Sequence, residues 1–153
     1  MSRLPALLLG LSLAALATAA LATPALAVES APVRSPRATV TLAADVAAVA
    51  PGEAFRLGLR LRLAEGWHTY WRNAGDAGAP PEVTLALPEG VAAGAIQWPI
   101  PDRIPYGPLV NYGYKNEILL PLQVSIPAAF TGDTLAVRAE ATWLVCADVC
   151  IPE

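Results

Sequence analysis

Cys146 and Cys150, in the stretch "WLVCADVCIPE", are the chain's two cysteines and its clearest candidates for chemistry. In a continuing strand, four residues at about 3.3 Å each would hold their Cα atoms ~13 Å apart. A disulfide needs roughly 4.4–6.8 Å. The pair can bridge only if the strand stops at Val145 and the chain turns, with Ala147-Asp148-Val149 at the tip. As a staple the bridge is weak. In the chain-entropy model a ~5-residue loop contributes about 2 kcal/mol, against ~4.7 for a 100-residue loop. As a switchable dithiol it is better placed, because one thiolate can attack a foreign disulfide and the other can resolve the mixed disulfide. Spacing alone leaves a redox pair and a local structural disulfide both open.

Metal binding is a third reading. Zinc takes four ligands, and the chain offers two Cys and one His. His68 and Asp148 would complete a set, but His68 lies in a separate aromatic segment. Two thiolates suit a cuprous ion, although the sole methionine is Met1. In "GWHTYW", residues 66–71, alternation puts Trp67, Thr69 and Trp71 opposite His68 and Tyr70. A lone His at a strand end reads most simply as a packed or exposed residue. Asp148 reads as a polar turn residue. Near a thiolate, its charge would raise that thiol's pKa and slow attack. No metal or cofactor is expected.

The elements that must position these residues are strands. Residues 1–27 read as a secretory signal peptide. Arg3 supplies the positive start, 6–22 the apolar run, and Ala25-Leu26-Ala27 a small-x-small cleavage site. An uncleaved membrane anchor is the rival reading. Export implies an oxidising compartment, the periplasm, where disulfides persist. Removing Arg3 takes ten basic residues to nine against 13 acidic, a net charge of about −4. No basic cluster is present, which argues against a nucleic-acid partner.

Residues 28–37, "VESAPVRSPR", read as a flexible lead-in. The period-2 pattern then dominates. It predicts strands at 39–46, 55–63, 83–87, 117–126 and 134–145. In "FRLGLRLRL", Phe55, Leu57, Leu59, Leu61 and Leu63 share one face, and Arg56, Arg60 and Arg62 the other. Pro121 suggests an edge or a bulge. Turn signals lie at 51–52, 73–76, 88–90 and 131–133. Fifteen prolines, mostly between strands, fit an all-β sandwich of immunoglobulin-like type. Residues 97–114, "QWPIPDRIPYGPLVNYGY", hold four prolines, two glycines and four aromatics and read as a long loop. Such loops are often functional; an aromatic-anchored connection is the bland alternative.

Three stretches read together, "GWHTYWRNAGDAG", "IQWPIPDRIPYGPLVNYGYKNEILLPL" and "WLVCADVCIPE", resemble the N-terminal periplasmic domain of the thiol:disulfide interchange protein DsbD family. The branch related to the suppressor-of-copper-sensitivity membrane protein looks nearest. The resemblance covers 38–153. It implies an immunoglobulin-like domain with Cys146 and Cys150 as a redox pair. In that family a membrane electron-transfer domain, fed by cytoplasmic thioredoxin, reduces the pair. Electrons then pass to thioredoxin-like periplasmic proteins, including disulfide isomerases and cytochrome c maturation partners. The same resemblance makes Ile104, Pro105, Tyr106 and Gly107 a cap over the pair, with Tyr112 and Tyr114 following. An apolar lid would limit non-specific oxidation and admit a docking partner.

The sequence departs from the family in three places. Three residues separate the cysteines, where the best-known members have five. Tyr106 stands where those members have Phe in the cap. The family also continues past this region with returning strands and membrane helices, so the sandwich is expected to lack its final strands, with contact to the membrane only through that absent part. Two other readings remain. One is a non-catalytic binding module with an aromatic platform of Trp67, Tyr70, Trp71, Trp98, Tyr106, Tyr112 and Tyr114. The other is copper handling by the two thiolates.

Overall fold

The computed structural model describes residues 28–153, and the expected signal peptide lies outside the described residues. The strands are β1 (Val28–Glu29), β2 (Val33–Arg34), β3 (Ala38–Ala44), β4 (Ala54–Leu63), β5 (His68–Gly75) and β6 (Glu82–Ala86). They continue with β7 (Ala92–Ala93), β8 (Asp102–Tyr106), β9 (Leu109–Lys115), β10 (Glu117–Ser125), β11 (Arg138–Thr142), β12 (Leu144–Cys146) and β13 (Cys150–Pro152). Among the described residues there is no helix, and the fold is an all-β immunoglobulin-like sandwich. One sheet runs β1-β3-β4-β10-β7, with β2 also on β3. The facing sheet runs β13-β12-β5-β9-β8, and β11 and β6 form a separate ribbon.

The alternation in β4 does what its sequence requires. Phe55, Leu57, Leu59 and Leu61 are buried. On the other face Arg60 pairs with Glu29 and Glu117, Arg62 with Glu117 at 2.9 Å, and Arg56 with Asp45 at 3.2 Å. The core between the sheets joins Val40, Leu59, Leu61 and Leu120 to Tyr114 and Val145 of the facing sheet. A second cluster of Phe55, Leu57, Leu122, Val124 and Ile126 packs against Leu85 and Val137, beside or on the ribbon.

Three sequence expectations change, and a fourth, at Pro121, is refined. Residues 28–37 are not a free lead-in: β1 and β2 both pair along β3. The expected strand 134–145 is broken at Trp143, where the chain leaves the ribbon partner β6 and enters the sheet of β5. A period-2 pattern carries no mark of that change of partner. The expected loop 97–114 contains the hairpin β8–β9, in register from Asp102↔Gly113 to Tyr106↔Leu109. Its tight turn starts at Gly107, whose φ of 57° is the left-handed value such turns favour at that position. Pro121 lies in an unbroken register opposite Gly58. Its carbonyl faces away from β4 and accepts from Gln97 N–H at 2.7 Å. The side that lacks an N–H is thus the side where β7 covers only Val124 and Ser125, which is edge-like in the sense expected.

Candidate redox site

The sheet β13-β12-β5-β9-β8 has an inner face in the core and an outer face that holds the cysteines. Val145 points inward and is fully buried, so its neighbour Cys146 must point outward. The chain turns through Ala147, Asp148 and Val149, with Ala147 N–H donating to the Val149 carbonyl at 3.0 Å. This makes Cys146 and Cys150 direct cross-strand partners. Their Cα atoms are 4.1 Å apart and the sulfurs are joined in a disulfide. The turn expected at 147–149 is therefore present.

The returning strand is fixed from outside the hairpin. Glu153 exchanges backbone hydrogen bonds with Trp143 at 2.9 and 3.0 Å. Its carboxylate accepts from Arg37 Nε at 2.7 Å and from Ser35 Oγ at 2.9 Å. The guanidinium of Arg37 also lies 5.6 Å from the Trp67 ring centre. The segment read as a flexible lead-in thus ends by gripping the residue that follows β13.

The two sulfurs differ in surroundings. Cys146 is 1% exposed, whereas Cys150 is exposed. The Tyr70 hydroxyl donates to Cys146 Sγ at 2.9 Å and lies 3.4 Å from Cys150 Sγ. Tyr70, Ala74 and Cys146 form a small buried cluster with Leu144. Gly78 closes it from above: a Cβ there would stand 2.2 Å from the phenol Cζ, so only glycine lets the backbone lie this close. Burial first, then the Tyr106 phenol, push the Tyr70 pKa above its ordinary value. Tyr70 therefore stays a proton donor to sulfur.

His68 is the cross-strand partner of Cys146 on β5. Its ring meets the Tyr70 ring edge-on, with centroids 5.3 Å apart. Burial first, then Lys115 beside it, pull its pKa below the ordinary value. In the sequence His68 joined the cysteines only as a possible zinc ligand, and Tyr70 did not join them at all. The only signal was their shared face in "HTY"; the pairing of β5 with β12 spans more than seventy residues and has no local mark.

The expected cap residues separate into two groups. Tyr106 reaches the hairpin, its hydroxyl donating to the Asp148 carbonyl at 3.0 Å. Pro105 and Gly107 flank it, and Ile104 is buried two residues before it on β8. Tyr112 pairs with Arg103 and is partly exposed. Tyr114 faces the core, where its hydroxyl donates to the Pro99 carbonyl at 2.8 Å, and burial pushes its pKa up to about 12. Asp148 contributes its backbone to the Tyr106 contact, and its side chain is exposed. The seven candidate platform aromatics do not form one surface. Trp67, Trp71 and Trp98 pack on the core cluster, and Tyr70 and Tyr114 are buried. Among the described residues no three His, Cys, Asp or Glu side chains gather in a way that could hold a metal ion.

An all-β sandwich that carries a cross-strand disulfide between one buried and one exposed cysteine is suited to thiol–disulfide exchange. The chain belongs to the family of the N-terminal domain of thiol:disulfide interchange protein DsbD, whose model matches residues 38–153. The crystal structure of the N-terminal periplasmic domain of ScsB from Proteus mirabilis has the same fold, with a TM-score of 0.61 and 24% identity. The match covers 82% of this chain and 48% of that one, so this chain spans about half the length of that solved domain. No curated protein matches the chain. Among the described residues no helix is long and apolar enough to cross a membrane.

Proposed function

We propose that Cys146 and Cys150 form a reversible redox pair in a periplasmic relay. It takes electrons from a membrane electron-transfer domain and passes them to thioredoxin-like proteins, such as disulfide isomerases and cytochrome c maturation partners. The supporting observation is the asymmetry of the disulfide. Cys150 is the exposed cysteine, whereas Cys146 is buried and its Sγ accepts from the Tyr70 hydroxyl.

An incoming thiolate attacks Cys150, the S–S bond breaks, and its electron pair leaves on Cys146. The leaving group is thus the sulfur that already accepts a hydrogen bond. Bonds to a charged acceptor are the stronger kind, so the Tyr70 contact grows in value as the thiolate forms. In the forward relay the reduced Cys150 attacks a partner's disulfide and Cys146 resolves the adduct. Tyr106, bonded to the hairpin tip, is the cap residue that must let go for a partner to enter.

Trapping tests this reading. Cys146→Ser keeps the exposed thiol and should hold a thioredoxin-like partner as a stable mixed disulfide. Cys150→Ser keeps the sheltered thiol and should hold little. Equal trapping by both variants, or a wild-type disulfide that resists reduction while the domain stays folded, would count against the relay.

A further inference from the structure

One buried titratable group beside the disulfide has no part in the exchange as described. His68 and Cys146 are direct partners across β5 and β12. Their side chains therefore leave the sheet on one face, with Cβ atoms roughly 4.5–5.5 Å apart. His68 is 6% exposed, and its Nε2 is buried with no hydrogen-bond partner. An orphaned buried nitrogen costs free energy. In the oxidised protein Cys146 has no proton to offer, whereas the dithiol has one. With the imidazole proton on Nδ1, Nε2 is an acceptor, and the Cys146 thiol across the strand pair becomes a donor only after reduction.

We propose that His68 is the general base for Cys146 and takes its proton as that cysteine closes the disulfide. The proposal rests on the relay reading above. In the mixed disulfide, Cys150 is bonded to a partner's sulfur. Cys146 attacks Cys150 Sγ, its S–H proton goes to His68 Nε2, and the S–H electron pair becomes the new S–S bond. The bond from Cys150 to the partner breaks, and its electron pair leaves as the partner's thiolate. The cysteine pair loses two electrons and the partner's disulfide gains them. The proton on His68 then passes to the departing thiolate or to water.

A base is needed here because the thiolate and not the thiol attacks, and Cys146, 1% exposed, has little water beside it to take its proton. The base must itself be neutral. Lys115 on β9 is the direct partner of His68 on its other side and disfavours the imidazolium. Tyr70 on the same strand and Cys146 on β12 are its uncharged neighbours. Asp102 on β8 and Asp148 at the hairpin tip are exposed to solvent.

The test follows the reduced protein with excess 5,5′-dithiobis(2-nitrobenzoate), a chromogenic disulfide, in stopped flow. The first chromophore reports the mixed disulfide on Cys150, and the second reports ring closure by Cys146. In the wild type, closure should be nearly flat above neutral pH and fall only where His68 protonates. In His68→Gln it should be slower at neutral pH by about a hundredfold. It should also climb roughly tenfold per pH unit as the thiol ionises, with the first phase unchanged. Lys115→Met, at an exposed site, should move the wild-type acid limb to higher pH, because His68 then protonates more readily. A His68→Gln closure profile identical to wild type overturns the proposal. If that variant does not fold, Lys115→Met decides, and an unmoved acid limb overturns it. A wild type that never releases the second chromophore sinks the relay reading and the proposal with it. That outcome is distinct from a normal two-phase reaction indifferent to His68.

Discussion

The two faces of the sheet β13-β12-β5-β9-β8 are built from neighbouring residues and do different work. Thr69, Tyr114 and Val145 point inward, and Tyr114 and Val145 join the core cluster. His68, Tyr70 and Cys146, one position away, point outward and surround the disulfide. The inner face is packed into the core, whereas the outer one places buried His68, Tyr70 and Cys146 beside exposed Cys150 and Lys115. A strand's two-residue period lets one stretch of chain anchor the fold and present a reactive group without a loop. The comparison predicts that inner-face changes alter stability and leave exchange alone, and that outer-face changes do the reverse.

The largest expected effect is on the inner side. Leu61 is fully buried against Tyr114 and Val145. Leu61→Ala should cost about 2–5 kcal/mol in denaturant unfolding. In the fraction that remains folded, the rate at which a small thiol reduces the disulfide should be unchanged. A tenfold change in that rate would mean that the two faces are coupled through the backbone of β12.

On the outer side, Tyr70→Phe keeps the ring and removes the hydroxyl from Cys146 Sγ. A hydrogen bond to a charged group is worth roughly 1.5–3 kcal/mol. Reduction by a small thiol should slow by about tenfold to a hundredfold, because the leaving thiolate loses its donor. Unfolding stability of the oxidised protein should fall by much less. Loss of stability without loss of rate would place Tyr70 with the core.

This contrast also explains what could be read in advance. The β4 face was legible because Leu and Arg alternate over nine residues. The turn between the cysteines was legible because bond geometry permits no bridge without one. The hairpin β8–β9 was hidden because Pro99, Pro101, Pro105 and Pro108 interrupt the alternation that would mark its strands. His68 and Tyr70 were hidden as neighbours of the disulfide because sequence gives each strand's faces and not its neighbours. Only the pairing of β5 with β12 turns an ordinary aromatic segment into the wall of the disulfide.

Tyr114 is the inner counterpart of Tyr70: both phenols are buried, but Tyr114 donates to a backbone carbonyl. Its folded pKa of about 12 stands above the ordinary 10.0, so the folded state holds its proton more tightly. The resulting stability is fully present below pH 10.0 and is lost as pH rises towards about 12. Tyr114→Phe should cost about 1 kcal/mol at neutral pH. It should also flatten part of the alkaline decline in stability, without changing disulfide reduction. An alkaline decline as steep in the variant as in the wild type would remove Tyr114 as a cause.

The smallest effect belongs to Tyr106, which is 45% exposed and joins the two ends of the site by one bond to the Asp148 carbonyl. Tyr106→Phe keeps the ring and cuts only that exposed bond, a change of about 0.5 kcal/mol, the low end for a hydrogen bond. If the bond holds the cap shut, its loss raises the open fraction, and a bulky thiol reagent should reduce the pair a few-fold faster. A small thiol that slips past the ring should gain less. Tyr106→Ala removes the ring as well and should bring the two reagents to similar rates. Equal acceleration for both reagents in Tyr106→Phe would mean that the bond tunes the hairpin and not access to it. Tyr106 would then belong with Tyr70 as part of the sulfur's surroundings, and the outer face would have no lid at this residue.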